Sequence, residues 1–196
     1  MTVFYIVRHG ETLFNTKKMV QGWVDSPLTE KGESQAKEAG NRLKNIEFDH
    51  AYSSTQERAY DTLRIMIGQR DIPITQKKGF KELFYGDLEA ERQDEIDWVS
   101  IRKEHPEGYA FCNGENKKDA TDRFFHTMKG IMDQYPDSNV LIVSHGSIIR
   151  HVLERIDPYF ITCGIHTGDL IGNCSVTIIE GDEDGFHILQ YGDKKY

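Results

Sequence analysis

The chain has 196 residues, of which 38% are hydrophobic and 29% are charged, and its formal net charge is −8. This composition is typical of a globular protein with one domain, or with one domain that carries a sizeable insertion. The acidic balance argues against broad binding to nucleic acids or anionic membranes, although a locally positive cleft could still take an anionic substrate. We therefore expect no nucleic-acid partner and no membrane partner.

Targeting signals and a disulfide framework are not expected. The N-terminus lacks a basic start followed by a long apolar run, and no apolar run approaches the ~20 residues that cross a bilayer. The expected location is the cytoplasm. The three cysteines, Cys112, Cys163 and Cys174, are odd in number and have no Cys-x-x-Cys spacing. This pattern argues against disulfides and a zinc site, and favours partly buried thiols in a reducing compartment.

The N-terminal part of the chain alternates between predicted strands and helices. An aromatic and β-branched run at 3–7 predicts a strand buried on both faces, as in a parallel sheet. Thr29 can cap a helix from about residue 30 to about residue 45. A second strand is predicted at 48–52, followed by a helix that Thr55 can cap and that ends near residue 67. A short extended piece is predicted at 72–75.

The rest of the chain continues the alternation after a long polar segment. Residues 84–137 predict two helical blocks, about 91–105 and about 117–135, separated by Pro106 and Gly108. A buried strand is predicted at 140–143, a helix at 147–154, and a β-hairpin from the runs at 175–180 and 186–191. The pattern predicts one domain over 1–196. Its fold class is α/β, a three-layer α/β/α sandwich with a mainly parallel central sheet and a helical insertion at about 84–137 over the active edge.

Two of the predicted parallel strands end in similar tripeptides. These are Arg8-His9-Gly10 and Ser144-His145-Gly146. In open α/β sheets, ligands bind beyond the carboxyl ends of the strands. If the two strands are neighbours, His9 and His145 enter one crevice, and the glycine after each histidine lets the backbone approach a ligand closely.

Two arginines add positive charge to this crevice. Arg58 lies in the helix that follows the second strand and can point back toward Arg8 and the histidines. Guanidinium forks match the oxygens of a phosphate in number and geometry. A neutral imidazole is also a usable nucleophile near pH 7. The sequence therefore predicts a phosphate site with no metal and no organic cofactor, because the arginines and histidines already supply the positive charge.

Further motifs are spread over nearly the whole chain. They are Arg8-His9-Gly10-Glu11-Thr12 with Asn15, Gln21-Gly22, Asp25-Ser26-Pro27-Leu28-Thr29, Gly32, Gln35-Ala36, Ser53-Ser54, Arg58-Ala59, Thr62, Glu82 with Gly86, Gly114-Glu115, Ser144-His145-Gly146 and Asn173-Cys174-Ser175. In this order the set resembles the histidine phosphatase superfamily, also called phosphoglycerate mutase-like. Arg-His-Gly alone is a weak signal, whereas the ordered set is a strong one.

The resemblance implies a role for each matching residue. His9 would be the nucleophile that carries the phosphoryl group, assisted by Arg8, Arg58 and His145. Glu82 would donate a proton to the leaving group, a kind of help worth roughly 10²–10⁴ in rate. The predicted phosphate-binding residues are Arg8, Asn15, Gln21, Gly22, Arg58, His145 and Gly146. The predicted activity is hydrolysis of a small phosphorylated substrate through a phosphohistidine.

Two alternatives stay open. A phosphoglycerate mutase would share the pocket, but the mutases resembled here are usually longer and have a larger insertion. A non-catalytic phospholigand-binding protein would be expected to lack a key residue, and none of the five catalytic positions is lost. Other enzyme classes lack their motifs: the Pro-Cys-x-x-Cys partner of zinc deaminases, the Gly-x-Ser-x-Gly elbow of serine hydrolases and the Walker loop of nucleotide-driven kinases.

The chain departs from the family pattern after Gly86. Family members often have an aromatic residue and a Glu-Gly pair there, and this chain has Leu88 and Glu89-Ala90, which puts the substrate contacts in doubt. Some aromatic residues near this segment could wall a substrate pocket, although for Trp98 a place in the insertion's own small core is favoured. These residues are Phe84, Tyr85, Trp98, Tyr109 and Phe111. Lys17, Lys18 and Arg102 could meet a second anionic group.

Overall fold

The computed structural model describes residues 1–158 and 171–193. It contains a six-stranded sheet with the order β3-β2-β4-β1-β5-β6. The strands are β1 Thr2–Arg8, β2 His50–Ser53, β3 Ile74–Gln76, β4 Asn139–Ser144, β5 Val176–Gly181 and β6 Phe186–Gln190. Strands β1 to β4 pair in parallel, and β5 and β6 form the antiparallel hairpin at one edge. The predicted mainly parallel sheet is confirmed.

Helices cover both faces of the sheet. They are α1 Leu13–Thr16, α2 Glu30–Arg42, α3 Glu57–Ile67, α4 Trp98–Glu104, α5 Lys117–Gln134 and α6 Gly146–Ile156. On β1, Phe4 and Ile6 pack with residues of α5 and α6, whereas Val7 packs on the other face with residues of α2 and α3. Successive side chains of a strand point to opposite faces, so a strand buried on both sides is apolar throughout. The three-layer α/β/α sandwich is thereby confirmed.

The first predicted block of the polar segment is wrong for most of its length. Only Trp98–Glu104 forms an α-helix, and Gln93–Glu95 forms a single 3₁₀ turn. The reason is a tertiary pairing: the amide of Ala90 donates to the carbonyl of Val20, and the amide of Val20 donates to the carbonyl of Glu91. This exchange fixes residues 90–92 in a non-helical turn and bridge, and it takes backbone groups that a helix would need.

The predicted cap of α3 is also wrong. The N-cap residue is Gln56 rather than Thr55, and its side chain makes no capping hydrogen bond. The exposed amide of Glu57 is instead satisfied by the carboxylate of Asp25, from a distant loop. Thr29 does cap α2, because its hydroxyl accepts from the amide of Gly32 at 3.0 Å. The remaining elements agree with the predictions within a few residues, apart from the short α1, which was not predicted.

The polar segment between β3 and β4 contributes to the main core as well as to the surface. Phe124, Met128 and Ile131 of α5 are buried in the same apolar cluster as β1 and β4. The division into one domain with a helical insertion at about 84–137 stays a prediction. Within 1–158 and 171–193, no helix has the length and apolar character needed to cross a membrane. Cys163 lies outside the described residues, and of the other two thiols Cys174 is buried and Cys112 is half-buried.

Candidate active site

The parallel pairing of β1 and β4 brings the two strand-end histidines together. Arg8 lies opposite Ser144 in the register, so His9 and His145 leave the sheet side by side. Their ring centroids are 5.2 Å apart, and both side chains are buried. The juxtaposition follows directly from strand direction, because the carboxyl ends of parallel strands meet at one edge.

His9 is held in a single tautomer by its own turn. Its Nδ1 lies 2.8 Å from the carbonyl oxygen of Gly10. A carbonyl only accepts, so Nδ1 carries the proton and Nε2 keeps its lone pair. Burial, and after it the charges of Arg58 and Arg8, hold the pKa of His9 well below its usual value. The ring is therefore neutral, with Nε2 available as a nucleophile.

Arg58 is completely buried and holds the loop that follows α1. Its terminal nitrogens donate to the carbonyls of Gly22 at 2.7 Å and Val24 at 3.0 Å and to the carboxylate of Asp25 at 2.8 Å. The terminal nitrogens are thus used by the protein itself. Its Nε is buried and has no partner among the described residues. A buried donor of this kind is costly unless a ligand satisfies it.

Arg8 and His145 present the same pattern. One terminal nitrogen of Arg8 donates to the carbonyl of Ile171 at 2.8 Å, and Nε2 of His145 lies 2.7 Å from the hydroxyl of Ser54. Arg8 Nε and His145 Nδ1 are buried, and neither has a partner within the described ranges. A Cβ at position 146 would lie 3.2 Å from Arg8 Nε. The lack of a side chain at Gly146 therefore leaves room for the Arg8 guanidinium.

Three unsatisfied buried nitrogens therefore belong to residues grouped around His9. Hydrogen bonding of buried polar groups is the rule, and a group of unpaired donors beside a nucleophile indicates a bound acceptor. Arg8 and Arg58 are cations. His145 is neutral, because burial and then Arg58 hold its pKa well below the usual value. An oxyanion with several acceptor oxygens, such as a phosphoryl group, fits this donor set.

Glu82 lies in the segment after β3 and contacts the start of α6, on the same cleft. Its carboxylate accepts from the backbone amides of Leu83 and Ile148 at 2.8 Å each and of Ser147 at 3.0 Å. The side chain is buried, yet it lines the cleft together with His9. A carboxyl group fixed by three amides, two of which belong to a helix N-terminus, has a defined position relative to the nucleophile.

The cleft has a volume of about 410 Å³. Six of the residues predicted for the site line it: Arg8, His9, Asn15, Gln21, Glu82 and Gly146. Arg58 and His145 lie directly behind this surface, fully buried. Gly22 is used differently from the expectation, since its carbonyl accepts from Arg58 and from Gln56 and so fixes the loop.

Several residues that support the site were missed in the sequence. Ser54 contacts His145, and the Gln56 side chain accepts from the amide of Glu82 at 3.1 Å. The carboxylate of Glu89 accepts from the amides of Trp23 and Val24, both at 2.6 Å. Ser54 belongs to a motif that carries the resemblance, and so does Asp25, which binds Arg58. Membership in these motifs was the sequence signal that could have identified both residues. Gln56 and Glu89 act through contacts that spacing does not reveal.

Aromatic side chains form part of the cleft wall. Tyr85, Trp98 and Tyr109 line it, and the rings of Tyr85 and Tyr109 are 4.7 Å apart. Trp98 also packs against the main core, so its place in a separate small core of the insertion is wrong. Phe111 is exposed, and Phe84 packs against Trp23 outside the cleft wall. In the described part of the chain, no three His, Cys, Asp or Glu side chains are grouped to hold a metal ion.

Comparison with known proteins agrees with this geometry. The family model of the histidine phosphatase superfamily (branch 1) matches residues 4–194. The chain belongs to the histidine phosphatase superfamily. The resemblance found in the sequence is thus confirmed, and members of this superfamily include both phosphatases and phosphoglycerate mutases.

Individual relatives carry both kinds of name. A Bacillus subtilis protein named "Uncharacterized phosphatase PhoE" is 35% identical over 97% of this chain and 94% of its own length. A Gloeobacter violaceus protein named 2,3-bisphosphoglycerate-dependent phosphoglycerate mutase 2 is 31% identical over 80% of this chain and 76% of its own. The solved structure of Bacillus stearothermophilus YhfR superimposes with a TM-score of 0.87 at 34% identity, over 100% of this chain and 98% of that one.

Proposed function

We propose that the protein hydrolyses phosphomonoesters of small metabolites through a covalent phosphohistidine on His9. The observation that carries this proposal is the set of unpaired buried nitrogens, Arg8 Nε, Arg58 Nε and His145 Nδ1, around a ring whose Nε2 is free to attack. Phosphoryl transfer needs mainly positioning and neutralisation of charge on the phosphoryl oxygens. The site offers both without a metal ion.

In the first step, Nε2 of His9 forms a bond to phosphorus and the bond from phosphorus to the ester oxygen breaks. The arginines and His145 donate to the non-transferred oxygens. An alkoxide leaving group needs a proton, and the carboxyl group of Glu82 lies on the same cleft to supply it. The products of this step are the free alcohol, the phosphohistidine and a Glu82 carboxylate.

In the second step, water replaces the alcohol. Glu82 takes a proton from the water as its oxygen attacks phosphorus, and the bond between phosphorus and Nε2 breaks. Inorganic phosphate leaves, and both His9 and Glu82 return to their starting protonation states. Division of one hydrolysis into two transfers lowers the barrier of each.

Coverage of the curated relatives favours hydrolysis over mutase chemistry, although this chain also covers 93% of a solved phosphoglycerate mutase from Bacillus anthracis. The relative named a phosphatase aligns over 94% of its length, whereas the mutase from Gloeobacter violaceus aligns over 76% of its length. A mutase must also protect its phosphohistidine from water until the phosphoryl group returns to the substrate. Arg102, on the wall of this cleft, is exposed to solvent.

One experiment separates the three candidate functions. Phosphate release from a panel of phosphomonoesters is measured in the presence of EDTA, beside conversion of 3-phosphoglycerate to 2-phosphoglycerate and acid-labile labelling of the protein. Phosphate release and labelling in the wild type, both absent in His9→Ala, are expected. Isomerisation with negligible phosphate release would replace the proposal by a mutase, and absence of turnover and label would leave a binding protein.

A further inference from the structure

The cleft extends beyond the proposed phosphoryl site to a second group of cations. Arg102 of α4, Lys117 at the start of α5 and Arg150 of α6 all line it. The chain has a net charge of −8. Even so, the described residues of the cleft wall include four cationic side chains and a single carboxylate. The cations are Arg8, Arg102, Lys117 and Arg150, and the carboxylate is Glu82. A strongly positive cleft on an acidic protein indicates an anionic ligand.

The three outer cations are incompletely neutralised by the protein. Nζ of Lys117 donates to the carbonyl of Pro106 at 2.7 Å, and Nε of Arg102 donates to the carbonyl of Trp98 at 3.0 Å. These carbonyl acceptors carry no net charge. Burial, and to a lesser extent Arg150 and Arg102, lower the pKa of Lys117 against the opposing influence of nearby carboxylates. Lys117 therefore lies close enough to Arg150 and Arg102 to be repelled by both.

The carboxylate that pairs with Arg150 is shared with a second side chain. Glu154 accepts from Nε of Arg150 and also from Nδ1 of His151 at 2.8 Å. In the described part of the chain, the terminal nitrogens of Arg150 have no hydrogen-bond acceptor. Like charges are held together at a cost unless a ligand neutralises them. A carboxylate or phosphate that bridges these side chains would remove the repulsion and satisfy the guanidinium forks.

The middle of the cleft can accommodate the organic part of a substrate. The aromatic side chains of Tyr85, Trp98 and Tyr109 line the same space as the two groups of cations. The volume of about 410 Å³ lies within the range of about 300–1,000 Å³ that is common for small-ligand sites. The space is larger than a phosphate ion requires.

We propose that the substrate is a phosphomonoester with a second anionic group, a carboxylate or another phosphate, which Arg102, Lys117 and Arg150 bind. This inference rests on the proposed function, because it assigns the transferred phosphoryl group to Arg8, Arg58 and His145. The outer cations select the substrate and orient it, and they take no part in the transfer itself. Phosphomonoesters with a neutral remainder are then poor substrates.

The test compares substrates that differ in one group. The short series is glycerol 3-phosphate, 3-phosphoglycerate and glycerol 1,3-bisphosphate. The long series is phenyl phosphate, 4-carboxyphenyl phosphate and 1,4-phenylene bisphosphate. Within each series the members end in a neutral group, a carboxylate or a phosphate, so the comparison also tells which anion is preferred. We expect kcat/KM for an anionic member of at least one series to exceed that of the neutral member about tenfold or more.

Single variants locate the preference. We expect the ratio of kcat/KM between anionic and neutral members to fall about tenfold in each of Arg102→Gln, Lys117→Gln and Arg150→Gln. The change arises mainly from KM of the anionic members, with little change for the neutral member. The matched controls are Lys103→Gln and Lys118→Gln, because these neighbours are exposed and lie outside the cleft wall. The controls are expected to keep the wild-type preference.

Two results would overturn the inference. One is that the wild type has equal kcat/KM values for neutral and anionic members in both series. The other is that each of the three variants loses the same factor in kcat/KM on all members. Failure of the proposed function looks different, because no member would release phosphate. In that case, binding of the same compounds to His9→Ala is measured by isothermal titration calorimetry. Tighter binding of the anionic members, if it is lost when Arg102→Gln is added, supports the outer site. Equal binding of neutral and anionic members refutes it.

Discussion

The hydroxyl oxygen of Ser54 lies 2.7 Å from Nε2 of His145, and Nδ1 of the same ring is one of the unpaired buried nitrogens. The amide of Gln56 donates to this hydroxyl at 3.2 Å. Two acceptors then compete for the Ser54 proton, and the ring nitrogen at 2.7 Å is nearer than Oε1 of Gln56 at 3.5 Å, so the hydroxyl donates to the ring. With the hydroxyl as donor, the neutral ring carries its proton on Nδ1. Ser54 thus makes His145 a donor toward the phosphoryl site.

Loss of the Ser54 hydroxyl is expected to weaken catalysis through this tautomer. One hydrogen bond to a charged group is worth about 1.5–3 kcal/mol, so Ser54→Ala should lower kcat/KM roughly 10- to 150-fold. Ser54→Thr keeps the hydroxyl and should restore most of the activity. Ser53→Ala is the matched control, because the Ser53 hydroxyl donates to a backbone carbonyl. The ¹⁵N shifts of the His145 ring report the tautomer directly, and an unchanged tautomer in Ser54→Ala would refute this role.

Glu82→Gln is expected to slow alkyl phosphates more than aryl phosphates. An aryl leaving group needs less protonation, so the missing acid costs about 10²–10⁴ in kcat for alkyl phosphates and much less for 4-nitrophenyl phosphate. The variant places an amide NH₂ among backbone amides that now donate to the carboxylate. Its unfolding midpoint should therefore be measured alongside. An equal loss on both substrate types would contradict proton donation.

The two buried histidines are expected to make stability depend on pH. Burial holds the pKa of both His9 and His145 well below the value of about 6.5 that they have in the unfolded chain. Between these values the unfolded chain binds protons that the folded chain does not, so the free energy of unfolding falls as pH falls below about 6.5. Each histidine contributes a slope of up to about 1.4 kcal/mol per pH unit.

Urea unfolding between pH 5 and pH 7.5, in buffer without phosphate, measures this slope. Phosphate is left out because a bound anion would change the protonation of the site. His145→Gln should lose less stability on acidification than the wild type, and the exposed His126→Gln is the matched control. Parallel stability curves for His145→Gln and the wild type would argue against a neutral buried ring.

Ala90→Gly is expected to stabilise the protein. Ala90 has φ of 66°, a left-handed conformation that costs a residue with a side chain about 1–2 kcal/mol. Part of this gain, about 0.4–1 kcal/mol, is offset because glycine gives the unfolded chain more freedom. We expect a net increase of about 0.5–1 kcal/mol in the free energy of unfolding. Ala120→Gly, within α5, should have the opposite sign, and a destabilised Ala90→Gly would show that the turn is not strained.

The departure from the family pattern at residues 88–90 affects the loop rather than the substrate contacts. Leu88, Glu89 and Ala90 do not belong to the described residues that line the cleft. Glu89 retains the acidic residue of the family pattern and uses it to bind the amides of residues 23 and 24. Sequence comparison detects the missing glycine, but the position of the carboxylate depends on a contact between segments more than 60 residues apart.

The strand-end histidines could be predicted from sequence because strand direction alone decides where they lie. The use of Arg58 could not, because its terminal nitrogens bind the loop at residues 22–25 and Nε is left without a partner among the described residues. The helix expected at 91–105 failed for a similar reason: pairing with residues 18–20 outweighs local helical preference. The outer cations come from three separate helices with no regular spacing, so only the folded chain reveals their proximity.

The order of the strands has a consequence for biosynthesis. β1 precedes the other described strands in the chain, yet it is enclosed by β4 and β5. The amide of Cys174 and the side chain of Asn173 donate to the carbonyls of Arg8 and His9. The nucleophile therefore reaches its final position only after the residues up to β5 have been translated. A nascent chain cannot capture phosphorylated metabolites prematurely, and the onset of phosphate binding during refolding would mark completion of the sheet.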